Sequence, residues 1–148
     1  MNKAEQAKEL MQAHQLNCAQ SVVSVFCEDF GLEHTLGLKV AVGFGGGMAR
    51  GGRTCGAVTG AYMVLGLSQR VNEDNPRESL ERVYNLIHEF NRRFKEIHGS
   101  LICRELIKYD LSLPEQRAAA HEKAVFTTVC PDFVRDAVSV IEVIRSTY

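Results

Sequence analysis

The stretch KVAVGFGGGMARGGRTCGAVTGAYMVLGL, residues 39–67, can be read in two incompatible ways. A strand entering a glycine-rich phosphate loop would make an α/β nucleotide binder, whereas a specially shaped loop followed by a buried helix belongs to an all-helical protein. The glycine spacing decides between them. G-x-G-x-x-G would need glycine where Met48 or Arg50 stands. GMARGGRT, residues 47–54, fits G-x-x-x-x-G-K-[ST] except that Arg53 replaces the lysine, and no βαβ organisation follows. What remains is a loop over 43–52, rich in residues that tolerate unusual backbone angles, and a helix from about Cys55. In that helix Gly56, Ala57, Gly60 and Ala61 leave one face almost without side chains, so another backbone is expected to pack closely against it. The same face makes a homodimer interface the expected form of self-association.

On the C-terminal side, VNEDNPR (71–77) is the clearest turn signal, with Pro76 where a first helical turn accepts it. Leu80, Val83, Ile87, Phe90, Phe94 and Ile97 then step by three and four, and Gly99 ends the helix. His88 and His98 fall on different faces of it, outside any catalytic triad, and Glu89, Arg92, Arg93, Lys95 and Glu96 make a charged, solvated face. Shorter helices are expected over 101–108 and from Pro114 to about Val125, and a last one from Cys130-Pro131 through Ile144. On the N-terminal side, Ala4, Ala7, Leu10 and Met11 mark a helix over 1–12, residues 17–30 read as a buried helix capped by Gly31, and 33–42 as a third. The strand-like run is LKVAVGF, residues 38–44. The fold class is therefore all-α: a single domain over 1–148, a bundle of about six to eight helices with a glycine-rich loop before a central helix.

With 17 basic and 18 acidic residues the chain is near neutral, which argues against nucleic-acid binding through bulk charge. Its 45% hydrophobic and 24% charged residues are globular proportions, not those of a disordered or collagen-like chain. No segment approaches the roughly 18 apolar residues of a membrane span, and the N-terminus lacks a signal-peptide core. A soluble, cytoplasmic protein is expected. In that compartment five cysteines point to metal, redox or core duties rather than to disulfides.

No C-x-x-C pair occurs, so neither a zinc ribbon nor covalent c-type haem is indicated. Cys18, Cys55, Cys103 and Cys130 each fall at or within the first turn of an expected helix. A helix N-terminus offers free N–H groups and partial positive charge, which favour thiolate and predict lowered thiol pKa values. Four such termini converging would make a nest for an anionic sulfur cluster. Cys27 differs: it shares a stripe with Val23, Phe26 and Phe30, as expected of a core residue.

The segments NCAQSV (17–22), GFGGGM (43–48) running into CGAVTGA (55–61), CREL (103–106) and Cys130-Pro131 together resemble the C_GCAxxG_C_C family of redox-active proteins. A similar domain occurs in split-Soret cytochromes c, whose haem attachment motif this chain lacks. The resemblance implies a redox or iron–sulfur role and places the family's cysteines on Cys18, Cys55, Cys103 and Cys130, leaving Cys27 outside. The leading expectation is an electron-transfer protein whose four thiolates ligate a [2Fe–2S] cluster and which meets a redox partner protein, with no nucleic acid or membrane involved. A second makes Cys55 a nucleophilic thiolate, metal-free, resolved by one of the other three. A third has the four hold a structural Zn²⁺.

Overall fold

In the computed structural model, which describes residues 1–147, there are eight helices of five residues or more among the described residues. They are α1 (Lys3–Gln12), α2 (Cys18–Ser24), α3 (His34–Ala41), α4 (Gly56–Leu67), α5 (Pro76–His98), α6 (Cys103–Ile107), α7 (Pro114–Glu122) and α8 (Cys130–Thr147). Short 3-10 turns lie at Glu28–Phe30 and Val42–Phe44. The all-α expectation holds: among the described residues the β pairing is a single isolated bridge, Thr54 with Ile102, and the strand-like run LKVAVGF is helical.

The core is organised around α8, which packs on α1, α2, α4 and α5. Val134, Ala137, Val138, Ile141 and Ile144 follow a helical stripe and are buried almost completely. The glycine-bearing face of α4 lies against α2, where a Cβ on Gly60 would stand 3.0 Å from the Ala19 carbonyl oxygen and 3.1 Å from Val22 Cβ. The close approach expected from sequence is thus made within one chain, and the face that suggested a homodimer is covered by the chain's own α2.

Two details differ from the sequence reading. The helix expected over 17–30 ends at Ser24, whose hydroxyl donates to the Ser21 carbonyl at 3.1 Å in competition with the helical ladder, and the chain resumes as a 3-10 turn closed by Gly31 at φ 65°. In α5 the buried stripe is Ser79, Leu86, Phe90 and Phe94, while Leu80 and Ile97 are exposed. His98 extends this stripe: its ring packs tilted at 46° against Phe94 and edge-on to Phe133, and its Nε2 lies 2.9 Å from Asp136 Oδ2. His88 is exposed.

Candidate functional site

Cys18 opens α2, held there by a reciprocal cap. Gln20 N–H donates to Asn17 Oδ1 at 2.9 Å and Asn17 N–H donates to Gln20 Oε1 at 3.1 Å. The side-chain amide of Asn17 also donates to the Val42 carbonyl at 2.9 Å, and that of Gln20 to the Leu38 carbonyl at 3.2 Å. These bonds fasten the start of α2 to the segment leading into the glycine-rich loop.

That loop is a left-handed turn. Gly46, Gly47, Met48, Ala49 and Arg50 take φ values between 53° and 69° in succession. Each non-glycine residue held so costs about 1–2 kcal/mol, so the surroundings must fix it. Gly52 N–H donates to the Gly46 carbonyl at 3.2 Å and Arg53 N–H to the Gly47 carbonyl at 3.0 Å. Gly47 has no room for a side chain, since a Cβ would lie 2.7 Å from both Arg53 N and Cys103 Cβ.

Cys55 is the N-cap of α4 and Cys103 the first residue of α6. Cys55 N–H donates to the Leu101 carbonyl at 2.8 Å and Cys103 N–H to the Arg53 carbonyl at 2.6 Å, one on each side of the Thr54–Ile102 bridge. Two cysteines distant in sequence are therefore strapped together by backbone. Cys130 opens α8, with Pro131 in its first turn.

These four cysteines line one cavity of about 990 Å³, together with Gly45, Gly46, Gly47 and Gly56. Cys18, Cys55 and Cys103 are buried and Cys130 partly so. Burial pushes every one of these thiols upward, and the neighbouring sulfurs push further: Cys18 acts on Cys55, Cys103 and Cys130. Cys103 is raised to about 12 by burial first, then by Cys18 and Asp110. The lowered pKa values expected at helix N-termini do not result. The amides of Gly46, Ala19, Cys18 and Gly56 do favour a Cys18 thiolate, but burial outweighs them.

Cys27 is 2% exposed and lies away from the cavity, with its Sγ donating to the Val23 carbonyl at 3.4 Å. It is a core residue, as its stripe implied. The cavity wall also carries His14, Arg50, Arg117 and His121, none of them singled out from sequence. They come from four separate segments without a shared motif. The Asn17–Gln20 cap, by contrast, was readable as N-x-x-Q before an apolar run.

Among the described residues no three His, Cys, Asp or Glu side chains are gathered closely enough to hold one metal ion. The four thiols share one space, with backbone N–H groups directed at the sulfur of Cys18, so they are the residues that could hold a sulfur-ligated group. No described helix is long and apolar enough to cross a membrane.

An all-helical protein with four cysteines at helix starts around one cavity is the class that fold and site define. The family described as "Putative redox-active protein (C_GCAxxG_C_C)" matches residues 16–144, and the chain belongs to it. It is also similar to an uncharacterized protein of Archaeoglobus fulgidus, 32% identical, over 82% of this chain and 88% of that one. No solved structure matches.

Proposed function

We propose that the chain is an electron carrier in which Cys18, Cys55, Cys103 and Cys130 ligate one iron–sulfur cluster, [2Fe–2S], and that it exchanges electrons with a partner protein. One observation carries this reading: cysteines from four separate segments, each starting a helix or capping one, line the same cavity. The bound cluster would supply one-electron chemistry, with its potential tuned by hydrogen bonds to its sulfurs. The chain's own part is to hold the sulfurs, to direct the amides of Gly46 and Gly56 at Cys18, and to exclude most water from three of the four thiols. A metal centre also accounts for burying thiols together, because coordination to a cation favours the thiolate that burial alone disfavours.

The alternatives fit less well. A structural zinc requires four sulfurs about 2.3 Å from one point, and the described residues offer no such convergence. A nucleophilic Cys55 requires thiolate near neutral pH, whereas burial and the neighbouring Cys18 sulfur raise that thiol.

The test is the visible absorption of protein purified without oxygen, with iron, acid-labile sulfide and zinc quantified on the same sample. Charge-transfer bands with matching iron and sulfide are expected, lost on Cys18→Ser, Cys55→Ser, Cys103→Ser or Cys130→Ser and retained on Cys27→Ser. A colourless protein with stoichiometric zinc overturns the reading, as does a chromophore that survives Cys18→Ser.

A further inference from the structure

A cluster occupies only a fraction of a cavity of about 990 Å³, a volume at the upper end of ordinary small-molecule sites. What lines the remainder is one-sided in charge. Arg50, Arg117, His14 and His121 face the space, and no Asp or Glu does, although the chain as a whole has one more acidic than basic residue, 18 against 17. Neither Arg50 nor Arg117 makes an ion pair or side-chain hydrogen bond among the described residues. Arg50 also stands in the left-handed turn at φ 64°. Its side chain lies over Gly46, the residue whose amide is directed at Cys18: a Cβ on Gly46 would come 3.1 Å from Arg50 Cγ. Strain of this kind persists where the surroundings require a residue to be in that place. Apolar side chains on the same wall include Leu106, Leu111 and Phe126.

We propose that this cavity binds a small amphiphilic organic anion, its carboxylate, phosphate or sulfonate group held by Arg50 and Arg117 and its apolar part against Leu106, Leu111 and Phe126. Guanidinium groups suit such oxyanions because two N–H donors match two oxygens. The inference deepens the redox reading, since it places a small molecule beside the four thiols, but the binding itself stands whether or not those thiols hold iron.

The probe is the dye 8-anilinonaphthalene-1-sulfonate, titrated by fluorescence against the full chain, with iron measured on the same samples. N-phenyl-1-naphthylamine, which lacks the sulfonate, serves as the neutral control. Saturable binding of one dye per chain is expected, competed by inorganic pyrophosphate. Arg50→Gln and Arg117→Gln each weaken the anionic dye about tenfold, the loss of one charge-assisted contact, while the neutral dye and iron content stay unchanged. Arg117 is half-buried on α7, outside the strained turn, so Arg117→Gln guards against a folding defect from Arg50→Gln. The control Arg82→Gln, on the exposed face of α5, leaves both dyes unaffected. The proposal is overturned if Arg117→Gln binds the anionic dye like the parent chain, if Arg82→Gln weakens it equally, or if both dyes weaken together. Iron lost along with the anionic dye also overturns it, because the arginines would then serve the metal site. A parent chain without iron refutes the cluster reading alone and leaves the dye result to decide this one.

Discussion

Cys18 and Cys27 belong to the same buried segment, and each sulfur faces a glycine of another helix. Gly56 of α4 stands against Cys18 and Gly37 of α3 against Cys27, where a Cβ on Gly37 would lie 2.7 Å from the Cys27 sulfur. Both residues are nearly inaccessible, at 8% and 2%. The polar surroundings are opposite. Backbone amides approach the Cys18 sulfur, whereas the Cys27 sulfur donates to a carbonyl. A sulfur surrounded by donors is prepared for negative charge, and one that donates is a neutral thiol filling space. Depth of burial does not separate a site cysteine from a core cysteine here. The direction of the neighbouring backbone dipoles does.

Alkaline titration of metal-free protein separates the cavity thiols from Cys27 most sharply. The Cys103 thiol, which shares the cavity with Cys18, is pushed from the ordinary 9.0 up to about 12 in the folded chain by burial and then by the Cys18 sulfur and Asp110. Below the lower value both states are protonated; above it only the unfolded chain releases its proton, so stability falls as pH rises from 9 towards 12. Denaturant midpoints measured across that window should fall steeply, less steeply in Cys103→Ser than in Cys27→Ser. Equal slopes in the two variants would erase the distinction.

Gly47→Ala combines a left-handed φ of 69° with contacts of 2.7 Å to Arg53 N and Cys103 Cβ. A loss of about 3 kcal/mol or more is expected in urea unfolding; a loss under 1 would mean that the turn does not fix Cys103. The paired substitutions Gly56→Ala and Gly37→Ala bear on the comparison directly. Gly56→Ala drives a methyl into Cys18 Sγ and to 2.9 Å from the Phe44 carbonyl oxygen, so about 2 kcal/mol and the metal content are expected to be lost. Gly37→Ala has a helix-propensity gain of about 1 kcal/mol to set against its clash and should retain metal. The smallest effect belongs to the far surface: Arg92→Gln, which breaks ion pairs of 2.7 Å with Glu89 and Glu96, should change stability by no more than about 0.5 kcal/mol and leave the absorption spectrum unchanged.

Where the sequence signal was local, it was readable. The Phe90–Phe94 spacing with Gly99 marked α5, and the small residues from Gly56 to Ala61 marked a close backbone approach, though not that α2 would be the partner. The cysteines were legible as a set because each sits beside a helix-start signal, and Cys27 because it shares an apolar stripe. Three features depend on what is distant in sequence and were not legible. Met48, Ala49 and Arg50 are held left-handed by bonds across the turn, against their own preference. The upward push on the thiols comes from burial by neighbouring elements, which no helix-start rule contains. The basic wall brings together His14, Arg50, Arg117 and His121 from segments that share nothing but the cavity.

The packing of α8 on α1 and α2 bears on how the site comes into being. A ribosome releases residue 18 long before residue 130, and the helix that carries Cys130 must dock onto the earliest parts of the chain. Contacts of such sequence separation form late, after the loop-closure entropy has been met. No fragment of the nascent polypeptide that stops short of residue 130 presents the complete set of four sulfurs, so the cavity is complete only once α8 has docked.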